Sequence, residues 1–312
     1  MFFSVIIPTY NRLPILQKCL HALSYQALAA HHTYEVIVVD DGSTDDTVAW
    51  LQHQAWPVRY ICQAHQGAAI ARNLGIQASQ GDTFVFIDSD LVVTEQFLQA
   101  HAHGLEQAQH RLRHDRLFSY GRVIQTCNFE TPTAEPYKIT DFSAAYFATG
   151  NVAITRHWLD VAGGFDPRFK EYGWEDLELG MRLKRLGLVL VKTPKAVGYH
   201  WHPPFSLDQL PQLIEQEQQR GRMGMQFYLK HPTAPVRRMI QMTLGHRLLW
   251  GMLTANGWLN EHTLSSLLQF LINRHHSQMA LGIARIFLNW YQVQSAYAAY
   301  MQLINRDVSD NG

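Results

Sequence analysis

Three short groups of residues have types and spacings suited to chemistry. In Asp88-Ser89-Asp90, two carboxylates stand at i and i+2 directly after the apolar run TFVFI (83–87). In a turning segment both can reach one hard cation. Oxygen ligands suit Mg²⁺ or Mn²⁺, ions that usually share their coordination with a substrate's phosphates. An isolated Asp-x-Asp is more often a solvated turn, so the segment counts only in company. In Gly173-Trp174-Glu175-Asp176-Leu177-Glu178 the acids open a helix striped by Leu179, Leu183 and Leu186. There the helix dipole and the unpaired backbone N–H groups favour an ionised carboxylate, the state a general base requires. Acids favour helix starts for that electrostatic reason alone as well. In Gly198-Tyr199-His200-Trp201-His202, two imidazoles at i and i+2 of a strand face one side. One as a metal ligand and the other as a packing or phosphate contact is a more natural arrangement than two ligands.

These groups need elements to hold them. The first half alternates short apolar runs with helical spacing: a strand over 3–7 closed by Pro8, a helix over 13–28, and a strand over 34–39 ending at Asp40-Asp41-Gly42-Ser43. A helix capped by Ser43 or Thr44 then runs through Leu51, followed by a strand (58–62), a helix (68–78), a strand (83–87) and a helix capped by Thr94 and running to Leu105. Buried runs of five or six residues between longer helices predict βαβ units and a mostly parallel sheet. In such sheets ligands bind beyond the carboxyl ends of the strands. Pro8-Thr9-Tyr10, Asp40-Asp41 and Asp88-Ser89-Asp90 all stand at strand exits, so one pocket can collect all three.

Further along, the pattern predicts a strand near 117–124, a polar stretch over 128–137, an extended segment over 148–154, and a helix over 156–162 ended by Gly163-Gly164. A helix over 174–186, stopped by Gly187, and strands at 189–191 and 196–199 complete this part. Pro203-Pro204 marks a boundary. Residues 206–312, rich in Leu, Gln, Met and aromatics at helical spacing, read as all-helical.

The 312 residues are the length of roughly two ordinary domains, or of one large α/β domain with an appendage. Lys+Arg 26 against Asp+Glu 26 gives a formal net charge of zero, so nothing global steers the chain to nucleic acid. Cys19, Cys62 and Cys127 are too scattered for a disulfide framework or a cysteine-rich zinc site, which predicts a reducing compartment, the cytoplasm. MFFSVIIPTYN has no basic stretch before its apolar run and reads as a first strand rather than a signal peptide. No run of about 18 apolar residues predicts a membrane span. GxxxxGK[ST], GxGxxG after the first strand, GxSxG and HExxH are all missing. Without a glycine cradle, a nucleoside diphosphate bound here needs a carboxylate-held cation, which the Asp88–Asp90 segment offers.

With these motifs the chain resembles family 2 of the glycosyltransferases, which has the GT-A fold. SVIIPTYNR, VIVVDDGSTDDT, QGAAIARNLGI before GDTFVFIDSD, and ATGNVAITRHWLDVAGGFDPRF leading into YGWEDLELGMRLKRLG follow the family's order over about residues 3–203. The GGFD to GWEDLELGMRL block is similar to the acceptor-side region of β-1,4-galactosyltransferases, polypeptide GalNAc-transferases and polysaccharide-chain polymerases such as chondroitin polymerase. The resemblance implies an α/β fold with a mostly parallel mixed sheet flanked by helices over 1–205. A nucleotide-sugar half would span about 1–110 and an acceptor half about 111–205, with a helical extension over 206–312.

It further implies Pro8, Thr9 and Tyr10 beside a nucleobase, Asp41 hydrogen-bonded to the uracil of a UDP-linked donor, and Arg72 near the nucleotide. Asp88 would touch the ribose and the cation, with Ser89 on the donor side. Asp90 would bind Mn²⁺ or Mg²⁺ directly, with His200 as third ligand and His202 as its substitute. Gly150 and Asn151 would line the donor sugar, and Trp174 would stack on an acceptor sugar. Glu175 would hold the acceptor or share the base role, and Asp176 would be the general base. The implied reaction is inverting, metal-dependent transfer of a hexosyl or N-acetylhexosaminyl group from a nucleotide-sugar to a glycan or glycoconjugate hydroxyl, in surface polysaccharide or glycoconjugate synthesis. Without QxxRW and following membrane helices, one transfer per encounter is expected, and residues 128–146 carry no readable acceptor pattern.

Two other classes stand beside this one. A catalytically inactive nucleotide-sugar or glycan-binding protein on the same scaffold would have lost its acids, yet Asp41, Asp88, Asp90, Glu175 and Asp176 are all present. A sugar-phosphate nucleotidyltransferase would want a glycine-rich basic loop where PTYNR stands. Finally, Arg237, Arg238 and Arg247 interleave with Met239, Ile240, Met242, Leu244, Leu248, Leu249, Trp250 and Met252. Such a segment either makes a peripheral membrane contact, at the inner face, or packs on the catalytic domain or on a second copy in a homo-oligomer.

Overall fold

Phe3, Val5, Ile6 and Ile7 of β1 (Phe2–Thr9) are all withdrawn from water, on both faces of the strand. That is the pattern of a strand with helices on either side. The computed structural model describes residues 1–54, 56–141 and 145–310. After β1 come α1 (Leu13–Ser24), β2 (Thr33–Asp40), α2 (Thr47–Leu51), β3 (Val58–Cys62), α3 (Ala68–Ala78), β4 (Thr83–Ile87), β5 (Leu91–Val93), α4 (Phe97–Leu112) and β6 (Leu117–Thr126). Then follow β7 (Asn151–Thr155), α5 (Arg156–Ala162), α6 (Glu175–Arg185) and β8 (Val189–Trp201). The strands form one sheet in the order β3-β2-β1-β4-β7-β6-β8-β5. β1 to β4 run parallel, and β7 is antiparallel to both of its neighbours. β6 and β8 are parallel, and β5 closes the edge antiparallel to β8. Because β2 and β3 lie on one side of β1 and β4 on the other, the sheet reverses direction between β1 and β4, the place where such sheets bind ligands.

Several boundaries differ from the sequence reading, each for a local reason. α1 stops at Ser24 instead of running to 28. Neither Ser43 nor Thr44 caps α2: its N-cap is Asp46, and the Asp45 carboxylate takes the Thr47 N–H and hydroxyl instead. Thr94 is not a cap either, because the chain spends Leu91–Val93 as an edge strand before α4 begins. β8 is one strand of 13 residues rather than two. Pro194 has no N–H for the ladder, and pairing with β6 jumps from Thr193 to Val197 opposite Gly121 and Arg122. Of residues 128–146, which carry no readable acceptor pattern, 142–144 lie outside the described residues.

A buried polar chain crosses the middle of the sheet. His101 of α4 is fully buried; its Nδ1 lies 2.7 Å from Ser119 Oγ and its Nε2 2.9 Å from Asn151 Oδ1. Asn151 Nδ2 donates at 3.0 Å to the carbonyls of Arg122 and Ala196. Asn151 therefore corrects an expectation. Its side chain is buried and occupied at both ends, which ties β6, β7 and β8 together instead of lining a donor sugar. Burial pushes the His101 imidazole from 6.5 down to about 4, against a smaller opposite effect of Asn151. The unfolded ring therefore binds a proton that the folded one refuses between those two values. Stability falls as pH drops through that window, by about 3 kcal/mol once it is fully crossed, and is unaffected by this group above pH 6.5. Denaturant titrations at pH 7 and pH 4.5 should show this drop in the wild type and a smaller one in His101→Gln.

The chain divides into two compact units, Met1–Lys170 with Glu175–Pro203, and Glu171–Trp174 with Pro204–Gly312. The second is built from α7 (Leu210–Lys230), α8 (Ala234–Met239), α9 (Leu244–Leu253), α10 (Ser265–Asn273) and α11 (Ser277–Asp310). Its residues 311–312 lie outside the described residues. Phe205, Leu210, Leu268, Leu271, Ala280, Ala284, Phe287 and Leu288 make its core. α7 lies along α11 at the closest approach glycine permits: a Cβ on Gly221 would run into the Gln292 carbonyl.

Candidate active site

The exit of β4 and the end of β8 meet because of the short edge strand β5. Leu91 N donates to Asp88 O at 3.1 Å, Trp201 N donates to Asp90 O at 2.9 Å, and Leu91 pairs with His200 across the ladder. This brings one ligand atom each of Asp88, Asp90 and His200 within 4.8 Å of one another. His200 Nε2 lies 3.0 Å from Asp90 Oδ1, while its Nδ1 sits 3.1 Å from Gln125 Oε1. The amide oxygen thus fixes the ring with Nε2 toward the carboxylates. Asp90 Oδ1 is buried and out of hydrogen-bond alignment, and Oδ2 is paired with Arg12. Burial opposes the Asp90 charge, yet His200 and then Arg12 hold its carboxyl below the usual range. Burial likewise opposes charge on His200, and Asp90 and then Asp88 raise it. Acids that draw a proton onto a half-buried imidazole mark a site short of positive charge. Two carboxylate oxygens and one imidazole nitrogen fit a hard divalent cation such as Mn²⁺ or Mg²⁺. His202 is not part of this cluster; its Nδ1 lies 3.5 Å from Cys127 Sγ and 3.4 Å from the Pro203 carbonyl.

A buried arginine joins this cluster to the start of α6. Arg72 of α3 donates through NH2 to Asp88 Oδ1 at 3.0 Å and through NH1 to Glu175 Oε1 at 2.9 Å. The second oxygen of Glu175 is buried with no hydrogen bond. Asp176 follows in the first turn and takes the Leu177 N–H at 2.7 Å. Its carboxyl is pushed up to about 7, first by burial and then by the charge of Glu175, against the pull of Arg72. α6 is itself fixed by Glu178, whose carboxylate holds Arg182 as that side chain reaches the carbonyls of Ala162 and Gly164.

At the exits of β1 and β2, the exposed Tyr10 ring stacks on His65 with centroids 4.3 Å apart and 30° between planes. Pro8 precedes it, and Thr9, buried, has a hydroxyl without a hydrogen bond. Asp41 also organises its own loop. Oδ1 accepts from Gln63 Nε2 (2.6 Å) and Gln66 N (2.9 Å), and Oδ2 accepts from Gly67 N (2.9 Å). His65 Nδ1 lies 3.1 Å from the Asp41 backbone carbonyl and 3.0 Å from Oδ2, so Asp41 shapes the loop 63–67. Gly67, at φ 93°, must be glycine because a Cβ would strike the Lys170 carbonyl. Ser89 is buried between the two acids, and Gly150 lets the backbone lie against Asp88, whose Oδ2 would be 3.3 Å from an added Cβ.

Trp174 is a second correction. It is 8% exposed, its Nε1 donates to Arg220 O at 2.7 Å, and its ring lies against Phe227 and the Arg220 guanidinium. A ring this deeply buried offers little surface for a sugar to stack on. Arg12 and Gln125, which grip Asp90 and His200, escaped the sequence reading. Arg12 has a visible signal, a cation directly after PTYN at a strand exit, whereas Gln125 becomes visible only once β6 is paired with β8.

Solved structures place this architecture. A mannosyltransferase from Pyrobaculum calidifontis, in complex with GDP-Man and Mn²⁺, aligns over 96% of this chain and 86% of its own (TM-score 0.54, 19% identity). GalNAc-T7 with UDP, GalNAc and Mn²⁺ aligns over 70% of this chain and 47% of its own (TM-score 0.53, 15% identity). S. aureus TarS aligns over 97% and 92% (TM-score 0.52, 15% identity). The fold is GT-A.

The glycosyl transferase family 2 model matches residues 4–161, half of the chain, and a model described as the N-terminal domain of galactosyltransferase matches residues 132–203. The chain belongs to glycosyl transferase family 2. It is 28% identical over 240 residues to hyaluronan synthase of Pasteurella multocida, and 28% over 240 residues to chondroitin synthase of Escherichia coli. Each match covers 64% of this chain but only 24% and 35% of those longer proteins. Validoxylamine A glucosyltransferase of Streptomyces hygroscopicus subsp. jinggangensis is 29% identical over 232 residues, 62% of this chain and 54% of that protein.

Proposed function

We propose that this glycosyltransferase moves a hexosyl or N-acetylhexosaminyl group from a UDP-linked donor to a hydroxyl of a glycan or glycoconjugate, with inversion, in polysaccharide or glycoconjugate synthesis. The observation that carries the reading is the convergence of Asp88, Asp90 and His200, with Arg72 linking Asp88 to the acids that open α6. UDP bound to GalNAc-T7 and to S. aureus TarS, and Mn²⁺ bound to GalNAc-T7 and the Pyrobaculum mannosyltransferase, support the donor and the cation.

Asp90 and His200, with Asp88, would hold Mn²⁺ or Mg²⁺, which when bound supplies positive charge against the diphosphate that leaves. Arg12, already on Asp90, adds a second cation beside the same phosphates. Tyr10 and His65 offer stacked rings at the nucleobase end, and Asp41 holds the loop that carries His65. Glu175 receives an acceptor hydroxyl on its unpaired oxygen. Asp176 takes the proton of the attacking hydroxyl as its oxygen bonds to the anomeric carbon and the carbon–oxygen bond to the diphosphate breaks on the opposite face. That single displacement turns an α-linked donor into a β-glycoside, the same logic by which a carboxylate base serves inverting glycosidases.

The donor is tested by thermal denaturation with UDP-sugars and GDP-sugars, each with and without Mn²⁺, because a ligand bound to the folded state raises apparent stability by mass action. UDP-sugars should raise the melting temperature only when Mn²⁺ is present. A larger rise with GDP-mannose would reject the uridine part of the proposal.

Arg72 keeps Asp176 from titrating still higher. In Arg72→Met, three neighbouring acids lose their buried counter-charge. Stability should fall by about 3–5 kcal/mol, and the pH at which kcat is half-maximal should rise. Arg72→Lys should restore part of both, which a purely steric role for the side chain would not produce.

A further inference from the structure

The second unit turns an apolar helix face outward. On α9, Leu244, Leu248, Leu249, Met252 and Leu253 recur at i, i+4, i+5, i+8 and i+9 and so share one half of the circumference. A surface helix normally buries such a stripe. Here Met252 is 80% exposed, Leu244 66% and Leu248 59%, and Gly251 is the buried residue of the helix. Trp258, 68% exposed, follows the helix, and Met239 at the end of α8 is also exposed. Beside α9 runs a groove of about 510 Å³ lined by Leu244, Leu248, Met252 and Trp290, with Arg247 at its edge.

Charge selects what covers them. Residues 218–260 contain no Asp or Glu; Arg220 and Arg222 pair with acids outside them, Glu217, Glu171 and Glu215, and Arg237, Arg238 and Arg247 add further positive charge. Arg237, Arg238 and Arg247 are exposed in the same stretch as the apolar stripe. A two-fold contact between copies would set this patch against itself, bringing those arginines together with no acid of the segment to offset them. A surface of lipid phosphates over acyl chains meets both features at once. We propose that this face adsorbs to an anionic phospholipid bilayer, with Leu248, Met252 and Trp258 among the acyl chains and Arg237, Arg238 and Arg247 at the phosphates. Among the described residues no helix is long and apolar enough to cross a membrane, and lying in the interface requires none.

The test is co-sedimentation of the full chain with vesicles of equal parts phosphatidylglycerol and phosphatidylcholine, against phosphatidylcholine alone. The chain should pellet with the mixed vesicles, less so at high salt. Leu248→Glu/Met252→Glu should lower the partition coefficient by about tenfold or more while leaving the melting temperature and transfer to a soluble acceptor unchanged. Arg238→Glu/Arg247→Glu should weaken binding to the anionic vesicles only. The proposal is overturned if the wild type stays in solution with anionic vesicles at low salt, or if both variants bind as it does. A wild-type dimer that Leu248→Glu/Met252→Glu converts to monomer would give this face to a second copy instead. These readouts stand apart from the donor and the chemistry, so either proposal can fail alone.

Discussion

Asp176→Asn should lower kcat by a factor of about 10²–10⁴, the usual contribution of a positioned general base, while UDP and Mn²⁺ still raise the melting temperature. The substitution is nearly isosteric, and its amide oxygen can still accept the Leu177 N–H. What it removes is a carboxylate that burial and Glu175 have pushed up to about 7. Two further results follow. In the wild type, kcat should rise with pH through about 7 as this carboxyl loses its proton. The stability sign runs the other way. The unfolded aspartate is already ionised above about 4, so the folded state holds the extra proton up to about 7 and stability falls with rising pH across that window. Removing the charge should therefore stabilise the protein near neutral pH, by on the order of 1 kcal/mol. Lost activity with a raised melting temperature separates a base from an acid that merely favours a helix start, whose loss would lower stability and spare kcat. A variant that turns over like the wild type would return the chain to the class of inactive scaffold proteins only if the wild type were inactive too; otherwise it would move the base to Glu175.

How much of the site is legible in the sequence depends on whether its parts are contiguous. β3, α3, β4 and α5 start and stop where their patterns say, because each is bounded by turn-forming or capping residues and carries one clear period. Asp88-Ser89-Asp90 and Glu175-Asp176 are legible for the same reason. β5 is not: three residues carry no period, and they are a strand only because β8 lies alongside. Yet β5 is what brings Asp90 to His200, so the choice between His200 and His202 needed the pairing. Arg72, Gln125 and Arg12 act across gaps of 75 to 103 residues in their longest contacts, which no local pattern encodes. Trp174 misleads in the opposite way. The family resemblance implies a sugar platform there, but its backbone is left-handed (φ 76°) and its indole lies against Arg220 and Phe227. Nor does anything local reveal that Gln63, Gln66 and Gly67 return to Asp41.

Asp90→Ala should fail at a different step. Asp90 is the one acid of the cluster that touches both His200 and Arg12, and its Oδ1 has no hydrogen bond of its own. Removing it takes a ligand from the cation site and leaves His200 without the carboxylate that draws a proton onto it. The Mn²⁺-dependent rise in melting temperature with UDP should disappear, whereas in Asp176→Asn it persists. The charge stabilisation supplied by such a cation amounts to several kcal/mol, so kcat/KM should drop by a factor of about 10³ or more. The fold itself should suffer little. Arg12 is half exposed and can return to water, and His200 can become neutral, so neither is stranded as a buried charge. His200→Ala should reproduce the loss in milder form, because two carboxylates remain to hold the ion, and raised Mn²⁺ should recover part of its activity. If Asp90→Ala instead kept full Mn²⁺-dependent binding of UDP, the convergence of β4 and β8 would be a structural ion-pair cluster, and the cation would have to be sought elsewhere on the chain.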